Sequence, residues 1–71
     1  MNELGERINL LEETVTSLKK ELRRIKSAIN KVEKLGLSIP SELLFKKEDV
    51  EIILKERKEE LKVLKKVVKL I

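Results

Sequence analysis

The sequence predicts an all-α fold: an antiparallel helical hairpin with heptad, coiled-coil-like packing that dimerises into a four-helix bundle. Three observations predict it. Leu, Ile and Val recur at steps of three and four along both halves of the chain. The lone Pro and one of the two Gly fall within one short stretch between the halves, KLGLSIPSE at positions 34–42. The charges run in four blocks of alternating sign. At 71 residues the chain has room for one domain, 1–71. It divides into helix 1 over about 3–35, a turn over about 36–40, and helix 2 over about 41–71 with a candidate restart near 47.

Helix 1 is set by Leu4, Ile8, Leu11, Val15, Leu18, Leu22, Ile25, Ile29 and Val32, whose spacings alternate four and three without a break. Such a repeat keeps one narrow stripe on one side of a helix, and the stripe has to be covered by another helix. The positions beside it, Arg7, Glu12, Thr14, Lys19, Glu21, Lys26, Ala28 and Glu33, are charged or small. Gly36 then stands where the next apolar residue is due. Glycine costs a helix about 1 kcal/mol relative to Ala and readily takes the left-handed conformation that ends one. Lys34 suits the negative end of the helix dipole, Ser38 can cap a following helix, and Pro40 suits that helix's first turn.

Helix 2 continues the three-four spacing through Val50, Leu54, Arg57, Leu61, Leu64, Val68 and Ile71. Ile53 and Val67 widen this stripe, and Ile52, Val63 and Leu70 lie further round, so helix 2 is apolar over a broader arc than helix 1. Residues 41–45 are expected either to open helix 2 or to lie across the end of the bundle. Arg57 is the one charged residue in the second stripe, and it is a candidate for setting register or partner choice, as polar residues in such seams can.

Charge selects the arrangement. Residues 1–18 carry net −3, 19–35 net +5, 40–56 net −2 and 57–71 net +4. Folding back near residue 37 sets blocks of opposite sign side by side, and antiparallel pairing of two such hairpins does so again. A parallel homodimer brings like blocks together, leaving Arg7 with Glu12 and Glu21 with Lys26 as its flanking pairs.

Composition narrows the function classes. The chain has no Cys and no His, which removes disulfides, the common zinc sites, thiol nucleophiles and the usual acid–base residue near neutral pH. Ser17, Ser27, Ser38 and Ser41 have no His to activate them. The carboxylates Glu48, Asp49, Glu51, Glu56, Glu59 and Glu60 lie among Lys and lack the His that helical di-metal sites use. No glycine-rich phosphate loop is present. A non-enzymatic module is expected, with no cofactor and no metal. The start MNELGERINLLEE has no uninterrupted apolar region, and no run of about 18 apolar residues occurs, so a cytoplasmic chain without a membrane span is expected. Its Lys and Glu bias, with one Asp and no Gln, is that of heat-adapted proteins and of charged coiled coils alike.

Two classes of partner follow. The first is protein: an antiparallel homodimer, or a second protein covering helix 2, built on the apolar residues named above as an oligomerisation or interaction module. The second is nucleic acid, RNA or DNA. Lys58, Lys62 and Lys66 form a four-step ladder beside Lys65 and Lys69, to which Lys20, Arg23 and Arg24 of helix 1 add a candidate polyanion-binding face. The acidic residues Glu3, Glu6, Glu12 and Glu13, of the same or a partner chain, are the alternative neighbours of that ladder.

Overall fold

The computed structural model describes residues 3–71, and among these it contains two α-helices, α1 (Glu3–Lys34) and α2 (Ser41–Leu70), folded back against each other. Both helices carry the charges their dipoles favour. Glu3 and Glu6 open α1 and Lys31 and Lys34 close it, while Glu42 opens α2 and Lys69 closes it. Thr14 and Thr16 tolerate mid-helix positions by donating their hydroxyls to the carbonyls of Leu10 and Glu12, each 2.9 Å away.

The turn begins with two hydrogen bonds that satisfy the last carbonyls of α1. Leu37 N–H donates to the Val32 carbonyl at 3.2 Å, and Gly36 N–H donates to the Glu33 carbonyl at 3.0 Å. This pairing needs a left-handed residue between, and Gly36 supplies it at φ 70°. Space is not what selects glycine there, because a Cβ at that position would meet nothing within 4 Å. Backbone conformation alone does.

The start of α2 differs from expectation in its details. Pro40 is the cap residue, not a member of the first turn: its φ of −58° and ψ of 135° are extended, and its carbonyl accepts from Leu43 N–H at 3.0 Å. Ser38 is two residues too early to cap, and no side chain caps the helix. Residues 41–45 form the first turn of α2 and do not cross the end of the hairpin, and the helix runs through Lys47 without a restart. The seam of α2 therefore begins seven residues before Val50, with Leu43 and the half-buried Lys47, whose stem can lie along apolar surface.

Leu11, Val15, Ile25, Ile29, Val50 and Leu54 are buried. Ile25, Ile29 and Val50 form a cluster near the turn, with Leu18, Leu22, Leu43 and the turn residue Ile39 packed against it. Leu4, Ile8, Val32, Leu61 and Leu64 are half-buried. Packing loosens toward the open end, where Val68 is exposed and Ile71 lies beyond α2 at 93% exposure. Among the described residues no side chain is sealed to below 2% exposure. Two helices give each residue only one wall, and water reaches the seam from both sides.

The product is a rod of 54 × 16 × 15 Å. Its radius of gyration, 16.3 Å, compares with about 11 Å for a compact domain of this length. Among the described residues no helix is long and apolar enough to cross a membrane.

Candidate interaction surfaces

A hairpin has two flanks, one on each side of the seam where its helices meet. On the first flank the helices are tied by ion pairs. Arg7 Nη2 lies 2.8 Å from Glu60 Oε1, and Lys46 Nζ lies 3.8 Å from Glu21 Oε1. The two bridges are fourteen residues apart on each helix, so they report one antiparallel register. Each uses the minority charge of its block. Arg7 stands in the acidic start of the chain and Glu60 in its basic end; Glu21 lies in the basic half of α1 and Lys46 in the acidic half of α2.

Arg57 belongs to this cluster. Its side chain is 38% exposed, and its Nη1 donates to Glu60 Oε2 at 2.7 Å while Nη2 lies 3.8 Å from Glu56. Glu60 thus accepts from two guanidiniums, one on each carboxylate oxygen. The hydrogen bond from Arg7, followed by that from Arg57, holds its carboxyl below the ordinary value of 4.5, against a partial opposing effect of burial. Arg57, the charge within the second stripe beyond Val50, therefore supports an interhelical tie on the first flank.

That flank is also where α2 broadens. Lys46, Ile53, Glu60 and Val67 follow one another at seven-residue steps, so they share a face. At about 100° per residue, Phe45, Ile52, Val63 and Leu70 carry the apolar arc on to the outer side of the helix. All six apolar residues of the arc are exposed, from 38% at Val67 to 87% at Leu70.

The second flank holds two adjoining depressions whose charged lining residues are all cations. One shallow depression is bordered by Lys19, Leu22, Arg23, Lys26, Leu54 and Lys58. Its neighbour is bordered by Val15, Lys19, Lys58, Leu61, Lys62 and Lys65. Lys19 and Lys58 border both, so the two form a continuous shallow groove with cations from both helices and an apolar floor. Among the described residues no carboxylate lines it, and none of its six cations forms an ion pair.

Of the polyanion-binding candidates, Arg23, Lys58, Lys62 and Lys65 come together here. Lys20 and Arg24 border a different depression with Glu21 and Lys46, and Lys66 and Lys69 border neither half of the groove. Lys19 and Lys26 are members that the ladder alone does not reveal. Their signal is positional: both stand beside the first stripe, seven residues apart. The acids Glu3, Glu6, Glu12 and Glu13 make no ion pair with the ladder within the chain. Among the described residues no group of three His, Cys, Asp or Glu is placed to hold a metal ion. No family model, curated protein or solved structure matches the chain.

Proposed function

We propose that the chain is a non-enzymatic helical-hairpin module that acts by self-association, a second copy packing antiparallel on the first to make a four-helix bundle. The observation that carries this is surface. The chain exposes 5902 Å², whereas a folded monomer of 8.3 kDa is expected to expose about 4,600 Å². The excess, roughly 1,300 Å² per chain, exceeds the 800 Å² or so that each partner contributes to a standard stable interface.

Charge and position support a second copy as the occupant. The exposed arc from Ile53 and Val67 round to Phe45 and Leu70 adjoins the ion-paired flank, and its cover must be apolar. Antiparallel pairing of like helices sets the −3 block of residues 1–18 against the +5 block of 19–35, and the −2 block of 40–56 against the +4 block of 57–71. In the resulting bundle the three-four stripes of all four helices face one core, as in other heptad-patterned bundles. The test is the thermal midpoint against chain concentration. Association linked to folding makes the midpoint rise steadily between about 2 and 200 µM. A midpoint that stays constant over that range refutes self-association.

A further inference from the structure

We infer that the basic flank is a docking surface for the phosphodiester backbone of duplex nucleic acid. Lys19, Arg23 and Lys26 of α1 and Lys58, Lys62 and Lys65 of α2 face one groove without a carboxylate among its lining residues. Bringing like charges together from two helices costs the hairpin stability, and the first flank shows that this sequence can place opposite charges across the seam where it does so. The repulsion is relieved when an anion fills the groove. The apolar floor of Val15, Leu22, Leu54 and Leu61 strengthens that attraction by keeping water from one side of the cations.

Spacing fits a phosphate ridge. From Lys26 through the Lys19–Lys58 meeting point to Lys65 the groove runs about 20 Å at 1.5 Å per residue. Because the rise of about 3.4 Å per phosphate is measured along the duplex axis and phosphates along the ridge itself lie farther apart, the six cations bracket fewer than six phosphates of one strand. No aromatic residue lines the groove, and Phe45, the only one in the chain, is not part of it. Single-strand readers stack bases on aromatic platforms, so this surface suits the backbone of a duplex. The inference does not depend on self-association, since the groove is complete within one chain.

The experiment is fluorescence anisotropy of labelled 20-bp DNA and RNA duplexes, and of a 20-nucleotide single strand, between 50 and 200 mM NaCl. Counterion release from these contacts gives log affinity a clearly negative slope against log salt, no steeper than about −5. The triple variant Lys58→Gln, Lys62→Gln, Lys65→Gln is expected to bind duplex at least about 30-fold more weakly at 50 mM, with the slope roughly halved. The control Lys31→Gln, Lys34→Gln, Lys55→Gln has the same net charge and is expected to change affinity less than about threefold. The DNA and RNA arms show which duplex is preferred. Equal losses in the two triple variants, a slope near zero, or tighter binding of the single strand overturns the inference. So does a chain that ignores both duplexes while the groove variant alone weakens its dimer, because the groove then belongs to the acidic segment of a second copy. The solution mass of each sample, taken in parallel, separates failure of docking from failure of self-association.

Discussion

The two flanks of the hairpin border the same apolar seam and have opposite characters. On one, Arg7, Glu60, Arg57, Glu21 and Lys46 join the helices, and the apolar arc of α2 runs outward beside them. On the other, six cations from both helices line a groove with no internal partner. The first flank is settled within the chain and exposes apolar surface. The second is left unsettled and offers charge. A fold this small has few surfaces, and under the two proposals above one flank is assigned to each kind of neighbour.

The comparison can be broken or sharpened by substitution. Breaking both flanks together takes the seam itself. Ile25 is 5% exposed at the centre of the packed cluster, and Ile25→Ala should cost about 2–4 kcal/mol, enough to unfold much of the chain in a urea titration. Gly36→Ala attacks the turn that brings the flanks into being. With free space around it the only penalty is the left-handed backbone, and about 1–2 kcal/mol should be lost in the same titration.

The next two substitutions separate the flanks. Glu60→Gln should destabilise by less than Gly36→Ala, since its partners are partly solvated and such ties are weak. It should also change the response to acid. The folded carboxyl titrates below its ordinary value, so its stabilising contribution is complete above that value and is lost as pH falls through the depressed one. Unfolding midpoints measured from pH 6 down to pH 2 should therefore fall less steeply in the variant. Lys19→Glu acts on the other flank, with the smallest expected effect on stability. Placing an acid beside Lys58 should raise stability by a few tenths of a kcal/mol while weakening duplex binding. A flank that is merely solvated would gain the stability and lose nothing.

The backbone plan was more legible in the sequence than the surfaces were. The three-four repeat and Gly36 carry nearly all the information needed for two helices and a turn, because the repeat acts over thirty residues and glycine is the one residue that takes a positive φ without strain. The cap was not legible: Ser38 has the favoured chemistry, but Pro40 holds the position through its backbone, with Ile39 packed against the core. Block charges pointed to antiparallel packing and concealed the pairs that tie it. Arg7 and Glu21 find Glu60 and Lys46 because a bridge depends on register, whereas a block sum averages register away. The groove was half legible for the same reason. Lys58, Lys62 and Lys65 follow from spacing on one helix, while Lys19 and Lys26 join them only once the two helices are set side by side.

Self-association is tested most directly by the absolute mass in solution, measured by light scattering on a sizing column at about 100 µM and moderate salt. The wild-type chain should give twice its 8.3 kDa, and the variant Ile53→Glu, Val67→Glu should give 8.3 kDa with its helix content retained. A wild-type chain that runs at 8.3 kDa, or a variant that keeps the doubled mass, contradicts it.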